Sequence, residues 1–274
     1  MSLGNTSTRI LVSVIFIPLI ILSSYFGGLF FLTFISAVGL TAYYEFDSMA
    51  KNKNSFSATF VGLLSVLSLI TDAYFNFVEV SMLVYIIVIS IFLFELFRNK
   101  NSAILNIGAT LLGVFYIGLF SRSIIEIREF FKSDYLNGGL IIIALLISIW
   151  LCDSAAFFVG SAIGKHKMFP RVSPKKSWEG AIAGFAFSVG GMVIMRMLFL
   201  QFLSFYDALI IGVLVGIIGQ MGDLTESLLK RDAGVKDSSN LIPGHGGIFD
   251  RFDSLLLSAP AVLLYLSFFV KHRF

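Results

Sequence analysis

Long runs without a single charged side chain recur along this chain, and they limit its fold before any motif is considered. Ile10–Ile21 and Leu140–Leu151 contain no Asp, Glu, Lys or Arg. A bilayer core of ~30 Å is crossed by a helix of about 20 apolar residues. A membrane β-barrel would instead alternate apolar and polar residues in strands of roughly ten. Only 14% of the residues are charged and 57% are hydrophobic, where a soluble domain has about a quarter charged. The chain reads as an all-α, polytopic integral membrane protein.

About nine spans are expected on length grounds: 9–26, 29–46, 57–73, 80–97, 103–121, 138–160, 179–201, 206–226 and 254–270. Gly27 and Gly28 leave room only for a tight hairpin between the first two. The first run follows Arg9 and alone resembles a signal peptide, but the many spans behind it make it the first transmembrane helix. Residues 1–137 hold about five spans and 138–274 about four.

Basic residues set the orientation, because cytoplasmic loops are rich in Lys and Arg. With the N-terminus inside, fourteen basic residues fall on the cytoplasmic side and five outside. Arg122, Arg128 and Lys132 dissent, placing three positive charges on the expected outer face. Cys152 is the only cysteine, which excludes an intramolecular disulfide. A net charge of +3 is too small to suggest a nucleic-acid partner.

Against this background Ser227–Asp253 stands out as a cluster of charges, glycines and one histidine between two spans. Ionisable groups at membrane depth are functional candidates by default. Under the expected topology Asp153, Asp223, Glu226, Asp250 and Asp253 all come to one face of the membrane. Asp223, Glu226, Ser227 and Lys230 share a helical face by spacing, as do Asp250 and Asp253 if span nine starts helical. Several oxygen ligands at one site suit a hard cation such as Mg²⁺. Lys175, Lys176, Lys230, Arg231, Lys236 and Arg251 suit phosphate. Acids with many bases are the layout for a metal and a polyphosphate together, whereas acids alone would suggest cation transport.

Pro243-Gly244-His245-Gly246-Gly247 adds a turn whose backbone N–H groups can approach an anion. His245 can donate to a phosphate oxygen or move a proton. In a second polar loop, 171–180, Ser177 and Glu179 are placed to start a helix whose N-terminus favours anions. Plainer readings apply elsewhere. His166 and His272 read as solvated, and Trp150 and Trp178 as interfacial anchors. Gly180 with Gly184, and Gly212 with Gly216, read as helix-packing faces. The same faces make a homodimer an expectation.

The run Ser227-x-x-Lys230-Arg231 … Lys236-Asp237 … Pro243-Gly244-His245-Gly246-Gly247-x-x-Asp250-Arg251-x-Asp253 closely resembles the signature of the CDP-diacylglycerol synthases, or phosphatidate cytidylyltransferases. Ser173-Pro174-Lys175-Lys176-Ser177-Trp178-Glu179-Gly180 looks like a second hallmark of that family, with Ser177 where Thr is common. Cys152-Asp153-Ser154-Ala155-Ala156 matches a third. The likeness covers the chain from about residue 140.

The resemblance implies a membrane enzyme that joins CTP and phosphatidic acid into CDP-diacylglycerol and releases pyrophosphate. It implies Mg²⁺, a second ion such as K⁺, and a homodimer. By this likeness Asp223 and Asp250 are the metal ligands, with Asp153 and Glu226 as ligands or their supports. Lys230, Arg231, His245 and Arg251 would act on the reacting phosphates. Ser173, Lys175, Lys176, Lys236, Gly246 and Gly247 would bind substrate. Compact length favours a bacterial inner membrane with the polar site facing the cytoplasm. A polyprenol kinase or a CDP-archaeol synthase would share this chemistry and differ in product, and a cation transporter would carry its acids along a deeper path.

Overall fold

The structure, a computed structural model, describes residues 5–131, 134–242, 244 and 246–273. Its helices are α1 (Asn5–Phe26), α2 (Gly28–Lys51), α3 (Thr59–Phe75), α4 (Val80–Phe97), α5 (Ala103–Arg128), α6 (Tyr135–Ile163), α7 (Trp178–Leu198), α8 (Phe205–Asp232) and α9 (Phe249–Val270). Among the described residues seven helices, α2 and α4–α9, are long and apolar enough to cross a bilayer. The other two expected spans fall on shorter apolar stretches, Val12–Phe26 and Thr59–Phe75. Three of the long helices contain a π-helical turn: Val114–Leu119, Val215–Gly219 and Leu266–Val270.

Several helices run past the hydropathy reading: α2 continues to Lys51, α5 to Arg128 and α8 to Asp232, and α9 already begins at Phe249. Hydropathy falls where charges begin, but a helix needs no apolar residue to continue. Lys230 and Arg231 lie in the last turn of α8, and Asp250 in the first turn of α9. Both suit the helix dipole. A short antiparallel hairpin, β1 (Lys167–Phe169) and β2 (Ser173–Ser177), precedes α7. It is absent from the sequence reading because its strands are brief, and Pro174 and Ser/Lys give no strand signal.

The chain forms two compact units, Met1–Glu126 with Lys230–Phe252, and Ile127–Leu229 with Asp253–Phe274. In the first, α2 buries Phe31, Ile35 and Ala42, and α3 buries Val66, Leu69 and Ile70. Tyr43 lies against Gly62, where any Cβ would collide with its ring. Several buried polar groups are partnered within the unit. Asp47 accepts from Ser57 Oγ, from Thr59 Oγ1 at 2.8 Å and from Lys51 Nζ at 2.7 Å. Asn106 donates to Glu95 Oε1 at 2.6 Å and to the Lys100 carbonyl at 2.7 Å, and accepts from Phe56 N at 2.7 Å.

The dissenting outer charges have a structural reason. Arg122 belongs to α5, is buried, and pairs with Asp72 at 2.7 Å and Glu126 at 2.8 Å. Arg128, at the end of α5, is fully buried. It donates to the Tyr135 carbonyl at 2.8 Å and stacks 4.1 Å from the Tyr135 ring centroid. Neither is a free loop charge of the kind that sets orientation. Lys132 lies outside the described residues.

In the second unit small residues set the helix spacing, as the glycine pairs led us to expect. A Cβ at Gly180 would meet the Ala156 carbonyl, and one at Gly184 the Cys152 carbonyl, both on α6. A Cβ at Gly212 or Gly216 would press on Val189 or Phe185 of α7. Ser188 Oγ donates to the Gly212 carbonyl at 3.1 Å. These faces are occupied inside the chain and so carry no case for a dimer. At the start of α8, Ser204 and Asp207 form a capping box, and Tyr265 Oη donates to Asp207 Oδ1 at 2.6 Å.

Gly184→Val should therefore force backbone apart and cost about 1–3 kcal/mol, seen as a lower Tm of the detergent-solubilised protein. Gly190→Ala, where an added Cβ meets nothing within 4 Å, should be neutral or stabilising.

Candidate functional site

Each unit holds a polar cluster built from the residues that the sequence singles out. In the unit comprising Ile127–Leu229 and Asp253–Phe274, the centre is Asp223 on α8. Its Oδ2 pairs with Lys176 Nζ at 2.5 Å, and its Oδ1 lies 3.4 Å from Ser227 Oγ one turn on. Both charged side chains keep about a third of their surface open, 30% for Lys176 and 34% for Asp223. The pair is therefore held in place yet reachable.

Lys176 is delivered by the hairpin. It is the penultimate residue of β2, and Ser177 behind it caps α7 by accepting from Gly180 N at 3.2 Å. Glu179 steadies the other side of the hairpin. Its carboxylate accepts from His166 N at 3.2 Å and meets His166 Nδ1 at 2.6 Å. His166 is thus exposed, as expected of a solvated histidine, but not unpartnered. Trp178 N donates to the His166 carbonyl at 2.9 Å and closes the hairpin onto the helix.

Two more carboxylates belong to this cluster. Asp153 on α6 is exposed, next to the buried Cys152. Asp253 on α9 is 9% exposed and lies within electrostatic reach of Asp223, Asp153 and Lys176. Glu226, one turn from Asp223, is completely buried. Shared spacing thus gives Asp223 and Glu226 quite different surroundings.

An apolar groove of about 580 Å³ lies between α7 and α8 in the same unit, lined among others by Trp178, Phe185, Ile217, Met221, Leu224 and Leu228. Gln220 sits at its edge and donates to the Gly216 carbonyl at 2.6 Å and the Ala181 carbonyl at 3.1 Å.

The other cluster lies in the unit comprising Met1–Glu126 and Lys230–Phe252. Asp250 is its hub. Lys230 Nζ contacts Asp250 Oδ1 at 2.5 Å. Asp250 Oδ2 accepts from Ser238 N at 2.9 Å, Ser238 Oγ at 2.7 Å and Gly247 N at 2.7 Å. The loop closes with Ile242 N donating to the Gly246 carbonyl at 2.9 Å, and Gly246 has a positive φ of 79° that favours glycine. Gly247 is buried where a Cβ would collide with Ser238 Oγ and Glu45 Oε2.

Arg231 donates to the Val235 carbonyl at 3.0 Å. Lys236 and Arg251 in this unit, and Lys175 in the other, are exposed, and Ser173 is half-buried. His245 lies outside the described residues.

The sequence reading passes over Glu45 and Ser238. Glu45 lies on α2, some two hundred residues from the signature, yet faces four hydrogen-bond donors from it. An acid inside an apolar span, with Asp47 two residues on, was the available signal.

The donor sets fit a divalent cation only in part-protein coordination. Among the described residues no group of three His, Cys, Asp or Glu side chains is placed to hold a metal by itself. Mg²⁺ commonly uses one or two carboxylates and completes its shell with water and substrate phosphates. Asp223 beside Asp153 and Asp253 meets that lesser requirement.

Comparison with known proteins agrees with this chemistry. Residues 7–269 match the model of the Cytidylyltransferase family. The chain is similar to the phosphatidate cytidylyltransferase of Bacillus subtilis (strain 168), 33% identical over 267 residues that cover 96% of each chain. The protein of that name from Brucella suis biovar 1 is 32% identical over 272 residues, covering 96% of this chain and 93% of its own. The one from Haemophilus influenzae is 40% identical over 163 residues, about half of either chain. With a match that spans nearly all of its length, the chain belongs to the cytidylyltransferase family.

Proposed function

We propose that this protein transfers the cytidylyl group of CTP to phosphatidic acid, forming CDP-diacylglycerol and pyrophosphate for phospholipid synthesis. The observation that carries the reading is the full-length likeness to proteins named phosphatidate cytidylyltransferase. A partly open Lys–Asp pair and an apolar groove within one unit support it, since the substrates are one polyphosphate and one phospholipid.

The reaction needs charge control more than base catalysis. The phosphate of phosphatidic acid is already anionic at neutral pH. One of its oxygens attacks the α-phosphorus of CTP, a new P–O bond forms, and the bond from that phosphorus to the β-phosphate oxygen breaks. Two anions must be brought together, so neutralisation and alignment carry the rate. Lys176 would meet a phosphate beside Asp223, and Lys230 would do so beside Asp250. Lys175, Arg231, Lys236 and Arg251 would supply further positive charge, and His245 a donor. Mg²⁺ held by Asp223 with Asp153 or Asp253 would supply a Lewis acid for the phosphate oxygens and the leaving pyrophosphate. Asp250 is assigned by resemblance to the same ion, and Glu226 to its support. The lipid would enter sideways with a tail in the groove, and the polar cluster would face the cytoplasm of a bacterial inner membrane.

Purified protein given α-labelled CTP and phosphatidic acid should move label into the lipid phase with one pyrophosphate per transfer, and EDTA should stop it. Label that stays in water as CDP while a lipid phosphate appears would replace this reading with a kinase.

Asp223→Asn should lower kcat by ~10²-fold or more without a change in Tm. Wild-type turnover in that variant would remove Asp223 from the reaction centre. Lys176→Gln should mainly raise KM for CTP or phosphatidic acid, as expected for a lost charge that meets substrate in both ground and transition states.

A further inference from the structure

Glu45 lies on α2 within the unit that also holds the signature loop, and its side chain is almost entirely shielded, with 3% of the residue exposed. Phe46 and Tyr43 beside it are equally buried. Removing a carboxylate from water in such surroundings is costly unless hydrogen bonds replace the lost hydration. Four donors do so, all from the loop 238–249. Oε1 accepts from Ser239 Oγ at 2.6 Å and Ile248 N at 3.1 Å. Oε2 accepts from Phe249 N at 2.8 Å and lies 3.1 Å from Ser238 Oγ.

Two of these donors are backbone N–H groups at the very start of α9. The first N–H groups of a helix have no partner inside it and attract negative charge. Such a cap normally comes from a residue adjacent in sequence, and here it arrives from α2. Ser238 Oγ sits between two carboxylates, 3.1 Å from Glu45 Oε2 and 2.7 Å from Asp250 Oδ2. It has one proton and donates to one of them at a time. Its backbone N–H still holds Asp250 Oδ2 at 2.9 Å. Glu45 therefore fixes both segments that grip Asp250, Ser238 on one side and the Gly247–Phe249 helix start on the other.

We propose that Glu45 is a positioning residue for the cytidylyl transfer, acting through Ser238 and the first turn of α9 to hold Asp250 against Lys230. This rests on the function proposed above. Glu45 itself need touch no substrate. Its carboxylate is required because all four groups facing it are donors, and the amide of glutamine would turn an N–H₂ toward two of them.

The test uses the full-length protein in lipid nanodiscs. Glu45→Gln and Glu45→Asp are compared with the wild type in kcat and KM per folded molecule, and in hydrogen exchange of peptides spanning 238–250. Glu45→Gln should lower kcat at least tenfold with KM for CTP changed much less, and exchange in 238–250 should quicken at least tenfold while α3 and α4 stay protected. Glu45→Asp keeps the charge and should lose less kcat than the glutamine variant. Wild-type kcat in Glu45→Gln, or a loss that only follows the folded fraction, would overturn the proposal. So would unchanged exchange at 238–250. If Glu45→Gln does not fold, Ser239→Ala decides, since it removes one donor and leaves the carboxylate. A fall in kcat with faster exchange of the same segment supports the positioning role, and no change in either ends it. Should the wild type itself fail to make CDP-lipid, the proposed reaction falls, while the exchange data still report whether Glu45 holds the loop.

Discussion

A charged group that this chain takes out of water is costly unless it finds its partner inside the protein, because a bilayer offers none. That constraint explains the placement of charge throughout. Asp72 meets Arg122, Glu95 meets Asn106, Asp207 meets Tyr265, and Glu45 meets the start of α9. Three of the four join segments fifty or more residues apart, and Glu95–Asn106 ties α4 to α5. In an apolar background such contacts are few and directional, and they choose among helix arrangements that apolar packing alone would leave nearly equal.

The same constraint separates the charges that build the protein from those available for chemistry. Arg122, Asp47 and Glu95 are buried and paired. Lys176 and Asp223 are paired too, but a third of each remains open. A cation and an anion in contact at a reachable position can exchange each other for the phosphate and the metal of an incoming substrate. The gain from such a half-exposed pair is small, so the exchange costs the fold little.

How much of this could be read from the sequence follows from the range of each signal. The spans were legible because hydropathy is local and the runs are long. The cap at Ser177 and the packing glycines were legible because caps and small-residue spacings are also local. Helix ends inside the signature were not, since charge masks a helix from hydropathy. The hairpin escaped because strands of three and five residues have no periodicity to detect. Arg122 and Arg128 misled in the orientation count because a basic residue in an internal pair looks the same in sequence as one in a loop. Glu45 escaped for the opposite reason to the signature: two acids, Glu45 and Asp47, near the end of an otherwise apolar helix make no motif, and Glu45's partners lie two hundred residues downstream.

The π-helical turn at Val215–Gly219 sits between two faces of α8 with different duties. Upstream, Gly212 sets the distance to α7, and downstream Asp223 and Ser227 form part of the polar cluster. A π turn holds one residue more than an α turn, which offsets everything after it by about 100° around the axis. Gln220, just after that turn, donates its side-chain amide to the Gly216 carbonyl. The packing stripe and the chemical stripe of this helix therefore need not lie along one line. Substitutions that refine the fit to α7 can accumulate without turning the carboxylates, and the acidic face can change without loosening the seam. A single-residue deletion within 215–219 would lock the two together again, swinging Asp223 away from Lys176 while leaving the composition of the helix almost untouched.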